Sequence, residues 1–173
     1  MGNRCLKISW IALLLWMGLI FYLSSQPGDI SGELSMGITE TVLRYIEQWW
    51  PTAGFDAQLI HHFIRKNAHF IAYLLLGLLA INAVSRSGWL VAKAEIGSSV
   101  ARAGSVKQAG IALLFCVLYA ASDEFHQLFV PGRSGQFSDV LIDSAGSVTG
   151  ILLFLAIHKS YVCLFKSDKH SCV

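Results

Sequence analysis

Residues Ser122 to Gly135 read SDEFHQLFVPGRSG, with two carboxylates, a histidine, a glutamine and an arginine set directly behind an apolar run. That run, Ala109 to Ala121, is about 13 residues long, whereas a membrane-spanning helix needs about 20 and at least about 17. The helix can therefore cross a bilayer only if Asp123, Glu124, His126 and Gln127 lie within the outer part of the bilayer or at its edge. Ionisable side chains at that depth are costly, face a protein interior or a water-filled cavity, and mark functional sites. The same residues also suit a buried ion-pair or hydrogen-bond network that locks helices together.

Composition places the rest of the chain around this stretch. With 173 residues, 54% of them hydrophobic and only 14% charged, and a mean hydropathy of +0.56, the chain is too apolar for an ordinary water-soluble domain. It reads as an all-α polytopic membrane bundle, one domain over residues 1–173. A net charge of +2 without a basic run interleaved with aromatics gives no sign of nucleic-acid binding. Cys5, Cys116, Cys163 and Cys172 form neither a CxxC pair nor metal-ligand spacing with histidine, so they read as free thiols. Leu6 stands where a myristoylation signal needs Ser or Thr.

Taken in order, Arg4 and Lys7 precede an apolar run from Ile8 to Leu23. A leader peptidase needs small residues at the last and third-last positions of its site; Ser24 suits one, but Tyr22 is too large for the other. The run is thus expected to be an uncleaved first span, about 7–24, with its basic start in the cytoplasm. Residues 25–65 are polar and somewhat acidic, so they belong outside. Within them Leu34, Ile38, Val42, Ile46 and Trp49 recur every three to four residues, with Glu33, Glu40 and Glu47 elsewhere on the wheel. This predicts an amphipathic helix in the first outer loop, held at the interface by Trp49 and Trp50 and ended at Pro51, or else packed as a lid on the bundle.

The second span, about 67–85, belongs to a helix that begins near Asp56, and its apolar part from Phe70 to Ile81 is again too short alone. Lys66, His69 and Tyr73 share one face of it. A loop from Arg86 to Lys107, basic and rich in Ser, Gly and Ala, is expected inside. The third span, about 109–128, returns outward, turns at Pro131 and Gly132, and the fourth, about 139–158, leads to a basic cytoplasmic tail, 159–173. Asp139 and Asp143 share a stripe of the fourth span with Gly146 and Gly150, a GxxxG pattern that permits close helix approach. Both termini then lie inside, and the polar ends of all four spans meet in the outer leaflet.

The segments KNAHFIAYLLLG and SDEFHQLFVPGRSGQFSDVLIDSAGSVTG, with FYLSSQP after the first span, resemble the VanZ-like membrane protein family from about Phe21 to Gly150. Asp143 departs from the family pattern, which often has asparagine there. The resemblance implies a multi-pass protein of the bacterial cytoplasmic membrane acting at the cell envelope. The named member of the family is associated with low-level resistance to the glycopeptide teicoplanin, which acts outside that membrane.

Three roles fit the expected pocket. As an enzyme, a hydrolase or transferase, it would use His126 or His69 as general base or acid, Asp123 or Asp139 to orient the imidazole, and Glu124 as a further catalytic carboxylate. Lys66, Tyr73, Gln127, Arg133, Asp139 and Asp143 would bind substrate, with Arg133 gripping a phosphate in bidentate fashion. A lipid-linked phosphate or pyrophosphate of the envelope suits such a pocket; no GxSxG, HExxH or comparable signature specifies a reaction. As a binding or shielding protein, it would hold membrane lipids, a lipid-linked envelope precursor or a lipoglycopeptide through Phe125, Phe129, Trp49 and Arg133. As scaffold, Lys66 would pair with Asp123 or Asp139, and His126 would bridge helices. A metal bound by His69, His126, Asp123 and Asp139 is disfavoured, because Lys66 and Arg133 would compete for the carboxylates; no cofactor is expected. Nothing in the sequence sets an oligomeric state.

Overall fold

The computed structural model describes residues 2–49, 56–87 and 98–167, folded as five helices with no strand among them. They are α1 (Gly2–Ser24), α2 (Gly28–Trp49), α3 (Ala57–Arg86), α4 (Ser98–Gln127) and α5 (Phe137–Ser167). Four contain segments long and apolar enough to cross a membrane: Arg4–Ser24, Ala57–Arg86, Val106–Gln127 and Phe137–Ser160. Large apolar side chains such as Leu15 on α1, Leu118 on α4 and Leu152 on α5 point away from the protein, as lipid-facing residues do and as an extended water-exposed patch does not.

Each span is longer than its apolar run. At the start of α3, Asp56 caps the helix by accepting from the backbone N–H of Gln58 at 2.9 Å, so the helix opens near Asp56 as expected, ten residues ahead of the span expected from about 67. The expected loop from Arg86 to Lys107 is shorter than its composition suggested, because α4 already starts at Ser98. Residues 98–108 lack proline, and Ala101, Arg102, Ala103, Lys107 and Gln108 among them form helix readily. α5 continues nine residues past the expected end at His158, since neither Gly nor Pro stands there to stop it. Trp50, Pro51, Lys93, Glu95, Lys169 and Cys172 lie outside the described residues.

The bundle is built on the pair α3 and α5, which run parallel and pack closely. Positions three to four apart on α5 meet successive positions along α3: Asp139 faces Lys66, Asp143 faces His69, Gly146 lies against Phe70, and Gly150 against Leu74. A Cβ on either glycine would collide with the α3 backbone, and one on Gly77 of α3 would collide with Ser147 in turn. The GxxxG stripe is thus a backbone contact, the arrangement small residues permit inside membranes. α1 is fastened to α3 by hydrogen bonds across helices: Trp16 Nε1 donates to the Ala72 carbonyl at 2.9 Å, Asn82 Nδ2 to Ser9 Oγ at 3.2 Å, and Trp10 Nε1 to Oγ of Ser87, the C-cap, at 3.0 Å. Tyr119 of α4 donates to the Met17 carbonyl at 2.7 Å.

The amphipathic segment does form a helix, α2, and the side it turns to the bundle is largely small and polar. Thr39 is buried and Ser31 and Ser35 line a cavity beside Ile38, whereas Trp49 is exposed. α2 starts on the turn between α4 and α5, where the Gly28 N–H donates to the Pro131 carbonyl at 3.0 Å. The turn needs Gly132, whose φ of +73° lies in the left-handed region.

Candidate functional site

The end of α1, the start of α3, the end of α4 and the start of α5 come together at one end of the bundle, and the polar residues of all four converge there. Helical phase decides which ones. At about 100° per residue, Asp123, Glu124 and Gln127 lie within one face of α4, and His126 falls about a sixth of a turn outside it. Asp123, Glu124 and Gln127 are accordingly buried. His126 instead stacks on Phe21, ring centroids 4.7 Å apart, and its Nε2 has no hydrogen-bond partner among the described residues.

Gln127 is the hub of this face. Its Nε2 donates to Ser24 Oγ at 2.9 Å and lies 3.2 Å from Asp123 Oδ2 and 3.3 Å from Glu124 Oε1, while its Oε1 accepts from Arg133 Nη1 at 3.4 Å. Glu124 also accepts, through Oε2, from the backbone N–H of Gln136 at 2.9 Å, just ahead of α5. A carboxylate at the start of a helix suits the positive end of its dipole.

From the other side, α3 and α5 bring His69 and Asp143 together, Nδ1 to Oδ1 at 3.5 Å. Asp143 is fully buried. The carboxylate that meets His69 is therefore Asp143, and neither Asp123 nor Asp139, the two expected to orient an imidazole. Asp139 pairs with Lys66 at 3.8 Å. Ligand atoms of His69, Glu124 and Asp143 all lie within 4.8 Å of one another, a convergence of three helices that differs from the expected metal set of His69, His126, Asp123 and Asp139.

Arg133 has less freedom than its place in a loop suggested. Its Nε donates to the Gln26 carbonyl at 2.9 Å and its Nη2 to the Leu23 carbonyl at 3.0 Å. The guanidinium thereby ties the last turn of α1, at Leu23, and the residue just beyond it, Gln26, to the turn between α4 and α5. Burial and the neighbouring Arg65 lower its pKa from the ordinary value, which remains far above neutrality for a guanidinium.

A cavity of about 300 Å³ opens beside this network, with Ile20, Leu23, Ile38, Ile64 and Ala72 among its apolar lining and His69, Tyr73, Asp123, Arg65 and Arg133 among its polar lining. Tyr73 is fully buried, and its hydroxyl, like Asp123 Oδ1, has no hydrogen-bond partner among the described residues. The sequence reading passed over Arg65 and Ser147; the Ser147 Oγ donates to the carbonyls of Asp143 at 3.0 Å and Tyr73 at 3.3 Å. Ser147 stands four residues beyond Asp143 on the same stripe, a spacing from which it was recognisable.

Four candidate spans, with buried carboxylates and a histidine gathered at one end beside a largely apolar cavity, define a multi-pass membrane protein. The chain belongs to the VanZ/LLP1 family, whose model matches residues 9–158. No curated protein and no solved structure matches it.

Proposed function

We propose that this chain works at the outer face of a bacterial cytoplasmic membrane, where it binds an amphiphile with an anionic headgroup, a lipid-linked phosphate or pyrophosphate of the cell envelope. The observation that carries this reading is the cavity, which combines an apolar lining with Arg65 and Arg133. Apolar walls with a few placed polar groups are what ligand pockets share, and arginine is the side chain best matched to phosphate oxygens. The outward orientation is supported by Arg4, Lys7 and Lys159, which stand at the ends of α1 and α5 remote from the site and favour the cytoplasmic side. α2 forms one wall, resting on the interface with Trp49 outermost.

Binding of a long-chain polyprenyl phosphate to the detergent-purified protein, followed by native mass spectrometry, tests the reading. The phosphate is expected to be retained and the uncharged alcohol of the same chain to be lost, with Arg65→Ala weakening retention about 10-fold, as loss of one charge-assisted hydrogen bond does. Equal retention of phosphate and alcohol would sink the anionic headgroup. An acyl-bearing glycopeptide such as teicoplanin shares this amphiphilic chemistry; the resistance reading requires that producing the chain raise tolerance to teicoplanin, and that Arg65→Ala reduce the effect.

A hydrolytic or transfer role is the second reading, favoured by the His69–Asp143 pair beside the cavity. Here His69 is the group that takes and returns a proton, with the Asp143 carboxylate facing its Nδ1 at 3.5 Å, and Asp123, Glu124 and His126 are secondary candidates. Lipid-phosphate turnover that persists unchanged in His69→Ala would remove it.

A further inference from the structure

We infer that His69, Glu124 and Asp143 form a binding site for one divalent transition-metal cation, of the zinc or manganese type, held between α3, α4 and α5. The three side chains come from three helices and present ligand atoms within 4.8 Å of one another. Metal bonds to nitrogen and oxygen of about 2.0 to 2.2 Å put neighbouring ligands of a tetrahedron about 3.4 Å apart. His69 Nδ1 and Asp143 Oδ1 stand at 3.5 Å, too long for a good hydrogen bond and close to that edge.

Asp143 supplies the second observation. It is fully buried, and neither of its carboxylate oxygens has a hydrogen-bond partner among the described residues. A buried carboxylate without partners is among the costliest arrangements in a protein and calls for a compensating charge. The two cations that the sequence offered as competitors are engaged elsewhere: Lys66 lies on Asp139, and Arg133 on the carbonyls of Leu23 and Gln26. Asp123, Glu124 and Asp143 are all buried at this end of the bundle, so one imidazole, even protonated, offsets only one of their charges. A divalent ion held by Glu124 and Asp143 offsets both of those two.

The donor types narrow the ion. One imidazole nitrogen with carboxylate oxygens suits zinc, manganese or iron, whereas magnesium and calcium sites are built from oxygen alone. Glu124 is already aimed by hydrogen bonds from Gln127 and the Gln136 backbone, the outer support that metal-binding carboxylates use. His69 also lines the cavity, which gives the ion a path inward.

The inference goes beyond the lipid-phosphate reading and does not depend on it, because uptake is measured with the metal alone. The full chain, purified in detergent and stripped with a chelator, is incubated with Zn²⁺ or Mn²⁺, freed of unbound ion on a desalting column, and its metal content and melting temperature are read. The expected result is about one equivalent of one of the two ions with a raised melting temperature, as binding to the folded state requires. Asp143→Asn and His69→Ala should each weaken uptake about 10-fold or more, since loss of even an outer support to a ligand has that effect, and His62→Ala, an exposed histidine of the same helix, should keep it. No uptake of either ion by the wild type, with no change in melting, overturns the site. Equal uptake by wild type, His69→Ala and Asp143→Asn overturns it too, as does loss of uptake in His62→Ala alone.

Discussion

Arg133 illustrates how one side chain ties distant segments together. Through three hydrogen bonds it joins the turn after α4 to the carbonyl end of α1 and to Gln127. Arg133→Ala is therefore expected to lower stability by about 2 kcal/mol, the scale of hydrogen bonds to a charged group. Arg133→Lys should recover only part of this, because an ammonium cannot reach acceptors in several directions from one plane. Melting of the three proteins in one detergent measures both. The residue types here were legible in the sequence, and their pairing was not: the histidine partner is Asp143, because close approach of α3 and α5 sets Asp139 against Lys66 one turn earlier. His126, which the sequence offered as a base, meets Phe21 instead, a consequence of its phase on α4.

At the scale of elements, two helix relations carry the site. The first is the backbone contact of α3 with α5. Gly150→Val places carbon where the Leu74 backbone lies, so the helices must part, at a cost of about 3 kcal/mol or more, as overpacking of a tight interior brings. Gly18 of α1 has nothing within 4 Å of an added Cβ, and Gly18→Ala should be neutral or stabilising by up to about 1 kcal/mol, because Gly is the weaker helix former. Unfolding in mixed micelles separates the two outcomes; equal effects would contradict the packing. The second relation is α2 with the cavity. Ile38→Trp, at the α2 wall, should fill space that a lipid chain would use and weaken polyprenyl phosphate retention about 10-fold while leaving metal uptake intact, because it removes volume and no ligand atom. The amphipathic period of α2 was readable from its residues alone, yet the side turned to the cavity carries Ser31, Ser35 and Thr39 next to Ile38, since a two-sided helix can satisfy its apolar face against lipid or protein alike.

Considered as a whole, the molecule is an even set of spans with its polar site at one end, so orientation decides which compartment it serves. With a cysteine-free background, Ser134→Cys, exposed beside Arg133, is expected to react with a membrane-impermeant maleimide added to intact cells, and Cys5, restored alone, only after the membrane is opened. The reverse pattern would place the site on the cytoplasmic side and end the envelope reading.

Composition, run length and period were enough to establish that this chain is helical, suited to a membrane, built on four spans and furnished with ionisable residues at matching ends of them. Those properties are local along the chain, so each can be read from neighbouring residues. That His69 meets Asp143, that Lys66 and Arg133 are engaged away from it, and that Glu124 completes a three-helix cluster came only from the packed bundle. Such pairings depend on the rotation and separation of helices relative to one another, and here these are set by a few small residues on α3 and α5 whose backbone contact no single helix reveals.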